Sequence, residues 1–504
     1  MIVRRIETLY PSDAPAVVAA LPASEPLVWL DSSNADAAFG LPGRYSLIGW
    51  EPAALLSQNA GGVATMVTRG GATGTAATAW ELVRMATRAG GPVSKRSFLD
   101  HMISEKKDRS ETGPSARASF DDAGERDVQH APTPGLVGYF GYELGEQLER
   151  LPAARNDDLN MPRLWLALLD HCIVLDHRER RAWVASCDLP HVAPPRDSAR
   201  TEQTWRAAVE RGGAASAAPP PRPLVHVEHE QSPDEYAVRV HRALAYIAAG
   251  DIYQVNLCQR LMIRGITDVL AAYDRLRRVN PAPLAALLRF GDRAVISTSP
   301  ELFVQLRGRE VLTSPIKGTR PRTGDAAHDE RARLDLLASH KDAAELAMVV
   351  DLHRNDLGRV CEVGSVQVRS ARRLETHPRV FHTVADVVGR LRPDRDAIDL
   401  LAATFPAGSV TGVPKIRAQQ IIRELEPTAR GVFSGAIGHI GVDGSVTMNV
   451  AIRTLQIAGD RAVLHVGGGI VADSDPLEEY RETLAKARGI LEALGCEARK
   501  PAGA

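Results

Sequence analysis

The chain has 504 residues, 44% of them hydrophobic, and sets 61 Lys and Arg against 62 Asp and Glu for a formal charge of -1. That supports a large core, as roughly two to four domains or one unusually large one, and excludes the broad basic surface that a nucleic-acid backbone requires. Five scattered cysteines (Cys172, Cys187, Cys258, Cys361, Cys496) without metal-ligand spacing argue against a disulfide framework or zinc cluster, and Met1-Ile2-Val3-Arg4-Arg5-Ile6 lacks an apolar signal core, so a reducing cytoplasm is the expected compartment.

From residue 1 to about 98, apolar stretches such as Leu27-Val28-Trp29-Leu30 and Tyr45-Ser46-Leu47-Ile48 alternate with Gly, Pro and Ser, which predicts strands. Residues 102 to 132 are rich in charge, Ser and Gly and poor in large apolar side chains. A segment of that composition cannot offset its ordering entropy, so a mobile insertion is expected there. Ordered pattern resumes at Gly135-Leu136-Val137-Gly138-Tyr139-Phe140. Between 212 and 224, Gly, Ala and Pro crowd into a semi-rigid linker composition, which places the main internal boundary at 224. A β-rich half, 1–224, and a second half, 225–504, are expected to pack into one large unit.

Ser232-Pro233-Asp234-Glu235 supplies an N-cap, a proline at the first helical position and a capping-box glutamate. The helix carries Tyr236, Val240, Ala243, Leu244 and Ile247 at helical spacing and stops at Gly250, before a strand-like Asp251–Leu257. Beyond it, β-rich runs at 294–313 and 430–470 mix with capped helices at 339–353, 412–425 and 476–494. No fixed-period repeat appears, and clusters of strands beside clusters of helices predict an α+β protein.

Lys317, in Pro315-Ile316-Lys317-Gly318-Thr319, reads most simply as a solvated turn residue; partly desolvated, it becomes a nucleophile of lowered pKa. Glu345 shares a helix face with Met348, Val349 and Leu352, so its carboxylate must pair with a cation or bind a metal, and the spacing does not choose. Glu479, Glu482 and Lys486 form one helix stripe opposite an apolar stripe of Leu477, Tyr480, Leu484, Ala487 and Leu491. Periodicity favours a solvated ion-pair face; the alternative is a cleft wall offering hard oxygens to Mg²⁺. Gly467-Gly468-Gly469 permits close backbone approach and amide binding of a carboxylate, or is only a bulge. Arg453 can grip a carboxylate or make a structural ion pair. The run Gly408-Ser409-Val410-Thr411-Gly412-Val413-Pro414-Lys415 echoes a phosphate loop, but Pro414 separates Gly412 from its lysine and the Ser/Thr is missing, so no nucleotide binding is expected.

Taken in order, Asp251–Leu257, Ser299-Pro300-Glu301-Leu302-Phe303, Pro315–Thr319, Asp351-Leu352-His353-Arg354-Asn355-Asp356, Ala451-Ile452-Arg453-Thr454, Gly467–Gly469 and Glu479-Tyr480-Arg481-Glu482-Thr483 resemble the chorismate-utilising enzymes. The resemblance is dense from about 230 to 492 and looser before it. It implies an α+β fold of two large antiparallel sheets packed as a sandwich with outer helices, the second half being the chorismate-binding catalytic one. It also implies two linked displacements. Glu301 protonates the departing C4 hydroxyl while Lys317 attacks C2; ammonia then attacks C4 and expels the lysine. Water-using members carry a lysine at the position of Gln254, and anthranilate-forming members carry an alanine at that of Lys317. The pair therefore resembles the branch that makes 4-amino-4-deoxychorismate for 4-aminobenzoate and folate.

By the same resemblance, Mg²⁺ is held by Glu345, Glu479 and Glu482, and the substrate by Arg453, Lys486, Gln254, Gly318, Gly467, Gly468 and Gly469. His382 lines the ring site, within Phe381-His382-Thr383-Val384 where relatives show His-Leu-Val-Ser. A separate glutamine amidotransferase is the implied partner. Ser32, Tyr45, Ser46 and Pro281 correspond to an effector site for tryptophan, with Leu284 replacing the aromatic residue of feedback-regulated relatives. Amination at C2 to give anthranilate is one alternative; a non-catalytic tryptophan-binding or amidotransferase-scaffold protein is another.

Overall fold

The computed structural model describes residues 2–22, 26–32, 43–88, 131–153, 155–214 and 225–496. The insertion expected at 102 to 132 lies, but for residues 131 and 132, outside the described residues. Of the break expected at 212 to 224 only 212–214 are described, and they close a helix, Ser198–Ala214.

The strands form two twelve-stranded sheets, antiparallel throughout. In the central strands residues alternate between two apolar environments rather than between core and water. In Leu27–Asp31, Leu27 and Trp29 join one cluster and Val28 another; in Tyr45–Trp50, Ile48 and Trp50 join the first and Tyr45 and Leu47 the second. In the other sheet, Leu164, Leu166 and Leu168 join a third cluster while Trp165, Ala167 and Leu169 join the second. The second cluster is therefore the filling of a sandwich, with Trp165 and Phe290 stacked inside it at 4.3 Å between ring centroids.

Helices close the two outer clusters: Val17, Trp205, Leu276 and Ile490 over one sheet, Leu82, Leu346, Val350 and Leu400 over the other. Where both faces are covered, whole strands such as Gly135–Phe140 and His171–Asp176 are buried from end to end. Both parts of the chain build each sheet. Leu27–Asp31 pairs with Leu284–Phe290, and Gly135–Phe140 pairs with Ala436–Gly441.

The helix Pro233–Ala248 carries the expected capping box, and Gly250 follows at φ +79°. The strand expected at 251–257 begins at Gln254 and continues to Arg264. The helix expected at 412–425 begins only at Lys415, because Gly412 and Val413 pair with Val255 and Gln254 and extend the sheet instead. Ser339 caps a helix, His340–Gly358, that passes the expected end at 353. No helix among the described residues is long and apolar enough to cross a membrane.

Candidate active site

Lys317 stands on Ile316–Pro321, the strand that ends one sheet. This strand pairs with Val380–Arg390, and the register breaks between Lys317 and Thr319. Gly318 takes up the extra residue at φ +79°, a conformation that disfavours any side chain, and a Cβ there would stand 2.9 Å from both Leu336 Cδ1 and Asp342 Cγ. The bulge brings Lys317 against the other sheet, where Gln254–Arg264 pairs with Arg461–Ile470. A Cβ on Gly469 would lie 2.4 Å from Gln254 Nε2 and 3.4 Å from Lys317 Nζ, and one on Gly468 would lie 2.9 Å from Glu479 Oε2. Bare backbone at these two glycines is what lets the amide, amine and carboxylate converge.

Glu301 occupies the crossover between sheets, after Arg293–Ser299 and before Leu302–Arg307. Ser299 Oγ donates to the Val450 carbonyl at 2.6 Å, and Val450 N donates to the Glu301 carbonyl at 3.0 Å, so the crossover is clamped. The residue is 3% exposed. Burial pushes its carboxyl up to about 7 against the opposing pull of the Ser409 hydroxyl, the Lys317 amine and the Arg453 guanidinium. Lys317 moves the other way: enclosure by protein lowers its amine, with Glu345 and Glu301 opposing and Lys486 assisting. Arg453 is held at φ +52°, its carbonyl accepting from Thr298 N at 3.1 Å. Burial draws its guanidinium down to about 10, with Glu301 opposing.

Two helices bring the carboxylates. Glu345 projects from His340–Gly358, and burial raises its carboxyl. Glu479 and Glu482 project from Pro476–Ala493. The reading of that helix from periodicity is corrected here: Leu477 is 45% exposed, whereas Glu479 is 5% exposed and shares the buried face with Thr483, Ala487 and Ile490. The helix turns this face to the glycine strand, so its polar stripe lines the cleft. Glu479 Oε1 accepts from Ser474 Oγ at 2.6 Å, and its carboxyl is raised by burial and by the charge of Glu482. Glu482 sits at the cleft mouth, paired with Lys486 Nζ at 2.8 Å, which lowers its carboxyl. Lys486 also donates to the Gly467 carbonyl at 2.9 Å.

Three carboxylates at one cleft, two of them made costly to ionise, are the oxygen donors a hard dication takes. Among the described residues no three His, Cys, Asp or Glu are gathered into a ready shell for a metal ion.

His382 is 1% exposed; its Nδ1 lies 2.8 Å from Thr319 Oγ1, and burial holds the ring neutral, well below the usual histidine range. Three buried atoms complete no hydrogen bond among the described residues: Gln254 Oε1, Glu301 Oε1 and His382 Nε2. Buried polar atoms of this kind are usually satisfied, and here each keeps its capacity for a bound molecule. Ser409 Oγ lies beside the Glu301 carboxyl, whose ionised form it favours. The residue belongs to the run excluded above as a phosphate loop. Gly408–Val410 forms a single tight turn beside Glu301, and Lys415 points away to bond Asp356 at 2.5 Å and the Thr404 carbonyl at 2.8 Å. Sequence reasoning passed over Ser409, because the glycines around it suggest a phosphate cradle and nothing local reveals the neighbouring acid.

A separate cavity lies between the sheets, enclosing about 770 Å³ including its open mouth, with Ser32, Tyr45, Pro283, Leu284, His439 and Asn449 in its wall. Of the expected effector residues, Ser32 and Tyr45 border it. Ser46 lies behind the wall, bonding Asp31 at 3.1 Å and His177 at 2.6 Å, and Pro283 borders the space where Pro281 was expected. Leu284 pairs with Ser299 and Asn449 with Leu302, so the cavity wall and the Glu301 crossover share backbone.

The family model described as chorismate binding enzyme matches residues 86–492. Aminodeoxychorismate synthase component 1 of Klebsiella aerogenes is 39% identical over 71% of this chain and 77% of its own length. Anthranilate synthase component 1 of Streptomyces coelicolor is 42% identical over 72% and 75%. Among solved structures, anthranilate synthase component I from Streptococcus pneumoniae superposes with a TM-score of 0.68 at 28% identity, covering 89% of this chain and 92% of that one. The menaquinone-specific isochorismate synthase of Escherichia coli shares the fold, with a TM-score of 0.65 at 18% identity over 98% and 94% of the two chains.

Proposed function

From the premise that the chain belongs to the chorismate binding enzyme family, we propose that it converts chorismate and ammonia to 4-amino-4-deoxychorismate through a covalent bond to Lys317. The observation that carries this reading is the placing of one amine, lowered by burial, between Glu301 and the Gln254–Gly469 contact. In the first displacement the Lys317 nitrogen bonds to C2, the ring double bonds shift, and the C4 oxygen leaves as water with the proton of Glu301. In the second, ammonia bonds to C4 and the bond from C2 to Lys317 breaks. The proton shed by the incoming nitrogen returns to the Glu301 carboxylate, so the acid is restored.

Gln254 lines the approach to Lys317 with an amide, which accepts a hydrogen bond from ammonia but cannot act as the base that water would need. Arg453, Lys486 and the amides near Gly468 and Gly469 would hold substrate carboxylates, and neutral His382 would face the ring. Glu345, Glu479 and Glu482 would hold Mg²⁺, whose charge offsets that of the ring carboxylate. Ammonia would come from a separate glutamine amidotransferase, with ammonium at high pH as its substitute. The cavity beside Ser32 and Tyr45 is the place a tryptophan would occupy.

The second reading, amination at C2 to give anthranilate, draws support from the 42% identity to the Streptomyces enzyme. Incubation with chorismate, Mg²⁺ and ammonium followed by chromatography separates the two: 4-amino-4-deoxychorismate is expected, and fluorescent anthranilate would overturn the proposal. Tight tryptophan binding by calorimetry with no turnover of chorismate would favour a non-catalytic protein.

A further inference from the structure

The register break at Lys317 leaves a question of hydrogen bonding. A bulge removes ladder partners from the residues beside it, and a buried carbonyl left without a donor is destabilising. The Lys317 carbonyl is satisfied by a side chain from the facing strand: Thr383 Oγ1 donates to it, and Thr383 is completely buried opposite Lys317 in the register. The neighbouring pair repeats the device, with Thr319 Oγ1 on His382 Nδ1 at 2.8 Å.

We propose that the Thr383 hydroxyl is a positioning residue for the nucleophile. It fixes the bulge in the one register that aims Lys317 at Gln254 and Gly469, while the other flank is locked by Gly318 packing under Leu336 and Asp342. This inference rests on the proposed role of Lys317. With the hydroxyl removed, the carbonyl turns to seek another donor, the peptide on either side of Lys317 rotates, and the amine leaves its line of attack. Substrate carboxylates are gripped elsewhere, so binding changes little.

The test compares wild type with Thr383→Val, which keeps shape and removes the donor, and Thr383→Ser, which keeps the donor. Steady-state turnover and the rate at which a chorismate-derived adduct appears on intact protein, followed by mass spectrometry, are read for each. Thr383→Val should lose about tenfold in kcat and in adduct formation with KM for chorismate within about twofold, and Thr383→Ser should recover most of the loss. A Thr383→Val enzyme with wild-type kcat and adduct rate overturns the inference, as does a loss that Thr383→Ser fails to restore. A wild-type enzyme that forms no adduct on Lys317 would instead overturn the proposed function, so the two failures are distinguishable.

Discussion

Glu301 is an acid kept where acids are costly, and replacing it by glutamine should show both sides of that arrangement. Its carboxyl is raised from 4.5 to about 7, which corresponds to about 3 kcal/mol of folded-state destabilisation once the group is ionised. The sign follows from proton uptake. Between pH 4.5 and 7 the folded state holds more protons at this site than the unfolded state, so its contribution to stability is complete below 4.5 and is lost as pH rises through 7. Glu301→Gln removes the ionisation and with it that slope. The variant should match wild type near pH 4 and exceed it by up to about 3 kcal/mol at pH 8, read as a difference in denaturant midpoint across that range. The same substitution should lower kcat by about a hundredfold to ten-thousandfold, the usual worth of a positioned general acid. Wild-type kcat/KM should fall about tenfold per pH unit well above 7 as the carboxyl loses its proton, and the variant should lack that limb. A variant no more stable than wild type at pH 8, or one that keeps the falling limb, would refute the assignment of Glu301 as a buried acid poised near neutrality.

Gly469→Ala places a methyl group 2.4 Å from Gln254 Nε2 and 3.4 Å from Lys317 Nζ; turnover should fall at least tenfold while the melting temperature moves little, and wild-type turnover would show that Gln254 and Lys317 need no such approach. Glu479→Gln removes a carboxylate that Glu482 already opposes, so the Mg²⁺ concentration giving half-maximal activity should rise about tenfold or more, as measured by metal titration of chromatographic product formation. Glu426→Ala strands the wholly buried Arg430, which it meets at 2.6 and 2.8 Å; equilibrium unfolding should show a loss of about 3–5 kcal/mol, and a loss below about 1 kcal/mol would show that the guanidinium finds other partners.

The elements read most readily were those whose signals are local. The capping box at Ser232 and Glu235 and the left-handed stop at Gly250 formed where the sequence placed them, because each is satisfied within a few residues. The two-sheet sandwich followed from motif order. Its central strands are buried on both faces, as Leu164–Leu169 shows, and so carry no alternation to count. Misreadings arose where a distant strand decided the outcome. Gly412 and Val413 fit a helix start until Gln254–Arg264 recruits them into a sheet. Leu477 and Glu479 exchange burial because the helix faces a cleft, where polarity points inward and periodicity cannot reveal the direction. Ser409 and Thr383 were invisible for the same reason: their partners, Glu301 and the Lys317 carbonyl, are far away in sequence.

In each sheet the strands from the first part of the chain form one contiguous block that meets a block of later strands along a single seam, and that seam can close only late in synthesis. Leu27–Asp31 borders Leu284–Phe290, and Gly135–Phe140 borders Ala436–Gly441. At roughly 5–20 residues per second on the ribosome, on the order of fifteen seconds to a minute separates the synthesis of Phe140 from that of Ala436 opposite it. Through that interval the Gly135–Phe140 edge, buried from end to end in the finished sheet, waits without that neighbour, an unpaired edge of the kind that invites pairing with other chains.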